Sequence, residues 1–454
     1  MRGRLADRLA LEVVSVKLRR AAWALASVLA SVLALAATGC GGDTGTRAVI
    51  RCDTGAMAVV SVTATDTCKP STSPLVAAVS IWMDGRYDHE VLFFPGSGLG
   101  ISESLVGPLA NGRHVIDMRP SVLWKPLACL SPERVSAAVI EPGSPQHDLY
   151  RRAPVLELRG DTVGEQTDIP LYSYAERLQQ GDERVQRYTV VFSNEDGGTP
   201  TRALFARWGR TTDIEQVYEI GTSGGRITRE EIQGTDHVTR PFQGRRVGDA
   251  PILLVATRNN MVTDRGQGIA RVRPVPELVD LSRATRESTM DSRPWVYRFM
   301  QAELAAEGHI AEDAPLDDEW ANRAPDPLSH VYLEADLRLN RAVAVAWVQD
   351  LNGKRFWSHY GQTPLAIERN GWVRSAVAVG ADPGSSPAEV GWACFPPSAE
   401  QTGGSCEIDA TRAFVLTKDF KPGPNLIAPV KLVLEVGDEV GLDANHPVPP
   451  TLGR

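Results

Sequence analysis

PLVAAVSIWMDGRYDHEVLFFPG, Pro74 to Gly96, decides the fold class. Two apolar, β-branched and aromatic runs flank Asp84-Gly85, a dipeptide favoured in tight hairpins because both central residues need positive φ. The stretch therefore predicts two paired strands with a turn at 84–85. Downstream, ESLVGPLANGRHVIDMRPS adds a turn at Asn111-Gly112 and another strand. Strands at this spacing, punctuated by Gly, Asn and Pro, predict a small antiparallel sandwich.

Outward from there, the β reading continues. RVQRYTVVFSNEDGG, TRALFARWGRTTDIEQVYEIG and DAPILLVATRNN mark a strand-rich middle, and VYLEADLRL, AVAVAWVQDLNGKRFWSHYG and PVKLVLEVGDEV a strand-rich end. An echo links the two ends: Trp82, Asp84-Gly85, Tyr87 and His89 recur in type as Trp347, Asn352-Gly353, Trp357 and His359. One helix stands out in MDSRPWVYRFMQAELAAEG. Ser292 is its expected N-cap, Pro294 fits the first turn, Trp295, Phe299 and Ala302 share a face, and Gly308 ends it. The acids after it, Asp313, Asp317, Asp318 and Glu319, read as a solvated connector, since they lack calcium-loop spacing.

The fold class expected is thus mainly β and multi-domain, with antiparallel β-sandwich-like domains and one helix-containing connector. The expected divisions are 1–39, a signal peptide; 40–73, a tether with a disulfide-stapled segment; 74–150, a sandwich; 151–276, a strand-rich central domain; 277–327, the helical connector; and 328–450, a second sandwich.

Residues Ala21 to Gly42 contain no charged side chain, and Lys17, Arg19 and Arg20 precede them. A basic flank, an apolar run and small residues at its end have the layout of a secretory signal. Ala37-Thr38-Gly39-Cys40 resembles the bacterial lipobox, with Ala37 where that family usually carries leucine. The resemblance implies lipidation at Cys40, cleavage before it and acylation of the new N-terminus. Several acyl chains give stable membrane attachment. Gly41, where an aspartate would retain an enterobacterial lipoprotein in the inner membrane, points to the outer membrane. An uncleaved anchor or ordinary cleavage stands as the alternative, and each also exports the body of the chain.

The whole chain has a net charge of −8; six basic and two acidic residues fall within 1–39, leaving −12 for the remainder. An evenly mixed acidic surface excludes nucleic acid, whose affinity needs clustered Lys and Arg. In an oxidising envelope the nearby pairs Cys52/Cys68 and Cys394/Cys406 read as local disulfides, and Cys129, among apolar neighbours, as a buried free thiol. No cofactor is expected, and the eight scattered histidines show no zinc spacing.

GTSGG, Gly221 to Gly225, fits the G-x-S-x-G elbow of α/β-hydrolases, which would make Ser223 a nucleophile. It also fits a glycine-rich hairpin turn, because RITREEIQG after it is short and charged where the elbow needs a long packed helix. PGSGLG, Pro95 to Gly100, has glycines as in nucleotide loops but opens no helix. In SNEDGG, Asn194, Glu195 and Asp196 form a polar cluster. Asp213 and Glu215 fall on one side of a strand, where two carboxylates can split their pKa values for acid–base work or form a solvated face beside Arg207 and Arg210. Trp357 and His359 also share a side of a strand, where they would pack a core or offer a face to a sugar or peptide.

The function expected is a membrane-anchored envelope lipoprotein that holds an unidentified protein or glycan ligand without catalysis. The alternatives are a secreted hydrolase centred on Ser223 or Asp213/Glu215, and a structural envelope protein.

Overall fold

The computed structural model describes residues 45–69, 74–195, 197–311, 322–379, 387–401 and 403–443. The signal segment, Cys40, Asp196 and the connector acids Asp313, Asp317, Asp318 and Glu319 lie outside them. The described chain is mainly β, in several antiparallel sheets, with few helices.

The Pro74–Gly96 stretch forms its hairpin. Strands Ala77–Met83 and Arg86–Phe93 meet with Met83 opposite Arg86, and Asp84 (φ 49°) and Gly85 (φ 80°) make the turn. Beside them lie Gly112–Pro120 and Arg47–Cys52, and across the core lie Ile101–Val106, Met57–Asp66 and Leu130–Ile140. Ala48, Ile50, Val60, Val62, Val79, Ile81, Ile116 and Val135 fill the space between these sheets.

Residues 47–52 and 57–66 are thus two core strands, so the extended chain expected after the tether belongs to the first sandwich, which takes in residues before 74. In Met57–Asp66 the apolar residues of the second half alternate with Ser61, Thr63 and Thr65, so Val60, Val62 and Ala64 are buried while the polar positions reach the surface. The same pairing corrects the first disulfide. Cys52 ends a strand opposite Gly112, while Cys68 follows a strand whose Asp66 sits opposite Leu130. That register delivers Cys68 to Cys129, with an S–S bond and a Cα–Cα distance of 4.9 Å. Cys129 is therefore bridged. Cys52 is the buried free thiol, its pKa raised by burial.

The hairpin sheet does not stop near residue 150. Arg86–Phe93 pairs in parallel with Ala270–Val272, which pairs with Val155–Leu158 and through it with Ala250–Val255. The first and central regions therefore share one sheet, and the expected boundary at 150/151 runs through it. A six-stranded sheet, ordered Thr239–Pro241, Arg226–Gln233, Asp213–Ser223, Glu183–Phe192, Pro170–Gln180 and Glu277–Val279, completes the middle.

The long helix, Pro294–Ala306, starts with Pro294 in its first turn, where a missing N–H costs nothing. Arg293 is its N-cap; Ser292 instead closes the short helix Ser288–Asp291, its Oγ donating to the Thr289 carbonyl at 3.4 Å. Trp295, Val296, Tyr297, Phe299, Met300 and Leu304 are buried in the largest core, with residues from the first, central and last regions, and Ala302 is buried too. A helix buried this widely is a structural centre, not a connector.

The C-terminal region is a separate sandwich. Gly371–Ala378, His330–Asn340, Ser405–Val415 and Val430–Glu435 face Arg355–Trp357, Val343–Gln349, Glu389–Phe395 and Glu439–Asp443. Cys394–Cys406 bridges its two sheets as expected. The echo between the ends is structural: Trp82–Tyr87 and Trp347–Trp357 place ring centroids 6.1 and 6.2 Å apart. Arg119 and Arg355 lie 4.0 and 4.3 Å over the respective tryptophans.

Candidate functional site

Ser223 ends the Asp213–Ser223 strand opposite Arg226, and Gly224 (φ 56°) and Gly225 (φ 78°) turn the chain straight into the next strand. This is a tight strand-to-strand hairpin, so the strand-to-helix elbow that would activate Ser223 is not built. Asp236 is engaged by Arg240, and the His237 ring lies 3.3 Å from Asn259 Nδ2.

Asp213 and Glu215 lie near one another on their strand, close enough for the charge of Glu215 to act on Asp213. Asp213 is buried; Asn260 Nδ2 donates to its Oδ2 at 3.0 Å, and Arg210 Nη1 lies 4.0 Å from its Oδ1. Burial first, and the charge of Glu215 second, push Asp213 up to about 7. Burial also raises Glu215, and burial with the Asp213 charge raises Glu195. The three acids thus form a proton-holding cluster around the buried Asp213, with Glu195 and Glu215 half-buried beside it.

Trp357 and His359 are drawn into packing. His359 stacks on Phe395 at 5.5 Å, Trp357 meets the same ring edge-on, and Val343, Val345 and Ala366 complete this small core. Burial lowers the His359 pKa. The open aromatic–histidine face for a sugar or peptide is therefore not formed.

Near this interior lies a seam of charges between the long helix and the C-terminal sandwich. Arg374, fully buried, donates from Nε to Glu334 Oε1 at 2.8 Å and from Nη2 to Asp291 Oδ2 at 3.0 Å. Arg412 Nη1 reaches the same Asp291 oxygen at 2.6 Å, and Arg210 Nε meets Glu287 at 3.2 Å. Against the cost of burial, Arg374, the Tyr297 hydroxyl and Arg412 hold Asp291 below its ordinary value. Against the same cost, Arg210, Arg369, Arg286 and Arg374 do so for Glu287.

A separate opening lies elsewhere in the described structure. A cleft of about 660 Å³ runs between the first sandwich, the start of the long helix and a turn of the C-terminal sandwich. Five chain segments build it, Pro274 and Val275 forming the fifth. Phe94 comes from the end of the hairpin, Tyr172 from the Pro170–Gln180 strand, and Trp295 from the first helical turn. Phe94 stacks on Trp295 at 5.0 Å, and Tyr172 meets Trp295 edge-on at 6.5 Å. The fourth segment brings Asp419 and Lys421 from a turn where Phe420 has φ 61°.

Charged groups line this aromatic floor. The Arg293 guanidinium lies 4.4 Å over Tyr172 and pairs with Glu277. Arg298 Nη1 donates to the Gly96 carbonyl at 2.9 Å and lies 5.6 Å over Phe420. Neither Arg298 nor Lys421 pairs with a carboxylate among the described residues. The glycine-rich PGSGLG loop is one wall. Its Gly96 N–H donates to Asp66 Oδ2 at 2.8 Å, and Ser97 and Leu99 face the opening.

Sequence reasoning missed this cleft because its parts lie at 92–103, 171–172, 274–275, 292–298 and 419–421. One local sign was available: Trp295 and Arg298, three apart on a helix, share a side. Among the described residues no group of three His, Cys, Asp or Glu is placed to hold a metal ion, and no helix is long and apolar enough to cross a membrane. No protein-family model matches the chain, and no curated protein matches it.

Proposed function

We propose that this chain is an exported binding protein, tethered to the envelope membrane by lipid on Cys40, that holds a ligand in the cleft beside Trp295. The observation that carries the reading is the pairing of an aromatic floor with Arg298 and Lys421, two cations without carboxylate partners among the described residues, in a cleft of about 660 Å³. Sites of this size, apolar with a few polar groups and set where domains meet, are where ligands are commonly held. Two disulfides fit an oxidising compartment. The exposed rim charges would set specificity and orientation, while the rings supply apolar contact area.

The test is purification of full-length protein from its own envelope in mild detergent, as wild type and as Arg298→Glu, with mass spectrometry of what travels with it. The reading expects material retained by the wild type and lost from the variant, and a diacylglycerol-modified Cys40 at the N-terminus. An identical set of co-purifying species in both samples contradicts the cleft. A bare Cys40 thiol contradicts the anchor.

A second reading, acid–base chemistry at Asp213 and Glu215, is favoured by one observation: Asp213 is buried beside the charge of Glu215, which together push it up to about 7. Hydrolysis of ester, peptide or glycoside substrates that disappears in Asp213→Asn would establish it.

A further inference from the structure

We infer that the occupant of this cleft is a single-chain anionic amphiphile, its hydrocarbon tail along the apolar wall and its carboxylate or phosphate head at Arg298 and Lys421. The inference rests on the cleft reading above and names the chemical class of the ligand.

The polar side chains of the wall are already engaged by the protein itself. Ser102 Oγ donates to the Leu92 carbonyl at 2.6 Å. Ser292 Oγ donates to the Thr289 carbonyl and accepts from Arg293 Nη1 at 3.1 Å. The Tyr172 hydroxyl lies 2.9 Å from Thr289 Oγ1, and Ser97 Oγ accepts from the Leu99 N–H at 3.2 Å. The Glu103 carboxylate accepts from Ser61 at 2.9 Å, and Arg293 is held by Glu277. A sugar brings several hydroxyls into such a site, and each polar group buried without a partner costs free energy. A hydrocarbon tail asks for no partners.

The remaining wall is apolar and reaches the surface. Leu92, Leu171 and Val275 line it beside Trp295. Leu99 and Ile101 carry it to the rim, where they are 40% and 53% exposed. Contiguous exposed apolar surface of this kind marks a place of contact. Phe94, Tyr172 and Trp295 are each less than a tenth exposed, and Phe94 and Trp295 stack on one another. No open ring face is thus offered on which a sugar could lie, whereas a flexible chain can follow an aliphatic wall.

The head site is cationic. Arg298 gives one N–H to the Gly96 carbonyl, and neither it nor Lys421 has a carboxylate among the described residues. Of the charged residues lining the cleft, Arg293, Arg298 and Lys421 outnumber Glu103 and Asp419, in a chain whose net charge is −8. Arg298 follows Trp295 by three residues on the helix, so a tail beside the ring brings its head to the guanidinium. Arginine and lysine pair with carboxylate and with phosphate, so either head fits.

The test is photolabelling of the full chain, in neutral maltoside micelles, by hexadecanoic acid carrying a diazirine in its tail, with the labelled peptides mapped by mass spectrometry. Saturable labelling is expected within 92–103 and 292–298. Unlabelled hexadecanoate should suppress it at least tenfold better than hexadecanol, which lacks the charge. Arg298→Gln is expected to remove most of that preference; should the variant not fold, the acid–alcohol comparison on wild type decides alone. Both a monoacylglycerol phosphate and hexadecanoate should compete, and the stronger of the two assigns the head to a lipid phosphate or to a free acid. Labelling that does not saturate, or equal suppression by acid and alcohol, overturns the anionic amphiphile. If the probe leaves the cleft unlabelled while Arg298→Glu still loses the material that travels with the wild type, the amphiphile is overturned and the cleft stands. If the probe fails and both proteins carry the same material, both readings fall.

Discussion

One helix serves two regions that look alike in composition and differ in what they leave undone. On one side of Pro294–Ala306, Tyr297 faces Arg374 and Tyr332, with Arg412 over Phe414 nearby; near its start, Trp295 and Arg298 face Phe94, Phe420 and Lys421. Both regions set guanidinium groups against rings. In the seam Arg374 and Arg412 have carboxylates, and Arg374 is sealed from water. In the cleft Arg298 has a carbonyl and Lys421 no carboxylate among the described residues, and the space beside them is open. A cation already neutralised inside a protein is a structural part. A cation left at the mouth of an aromatic cleft is available to a ligand.

The seam should break hardest. Removing one member of a buried ion pair leaves the others uncompensated, typically by about 3–5 kcal/mol. Arg374→Ala, which strands Asp291 and Glu334, should lower stability by about that amount in urea denaturation; a loss below about 1 kcal/mol would show that the seam contributes little. Its acid behaviour follows from the lowered Asp291 and Glu287. A carboxylate depressed by folding contributes stability above its unfolded value, and that contribution goes as pH falls through the lower folded value. The seam should therefore loosen only in acid, below about pH 4.

The proton-holding cluster has the opposite sign and the next largest effect. Asp213 is raised on folding, from an unfolded value near 3.8 to about 7. Its contribution is fully present below the unfolded value and is lost as pH rises through the folded one. Stability of the wild type relative to Asp213→Asn should thus fall by about 2–4 kcal/mol between pH 4 and pH 7. Parallel pH profiles for the two proteins would mean that Asp213 is not raised.

The cleft should show the smallest effect on folding and the largest on binding. Arg298→Glu changes a side chain that borders an open cleft, and substitutions outside packed or paired sites usually move stability by no more than about 0.5 kcal/mol. The same change should abolish retention of co-purifying ligand. If it costs as much as Arg374→Ala, the two regions are not different in kind.

What could be read from the sequence divides along the same line. Asp84-Gly85, Gly224-Gly225 and the helix begun by Pro294 were legible because a turn or first helical turn depends on neighbours in the chain. The shared side of Asp213 and Glu215 was legible from alternation, but its burial came from Asn260, 47 residues away. Proximity in sequence misled for Cys52 and Cys68, since strand register, not spacing, chose Cys129 as the partner. The sheet shared across residue 150 was hidden because its joining strand, Ala270–Val272, comes late in the chain. The seam and cleft were least visible of all. Arg298 and Lys421 are separated by more than a hundred residues, and only the docking of the last sandwich on the helix brings them to one opening.

The most direct measurement is hydrogen exchange of the full chain purified from its envelope, as wild type and as Arg298→Glu. Amides of 94–103 and 292–298 should exchange more slowly in the wild type, which retains its ligand, than in the variant, while those of 285–291, 330–337 and 371–378 keep their rates. Equal exchange at 94–103 and 292–298 in the two proteins, or a difference confined to the seam, would contradict the account.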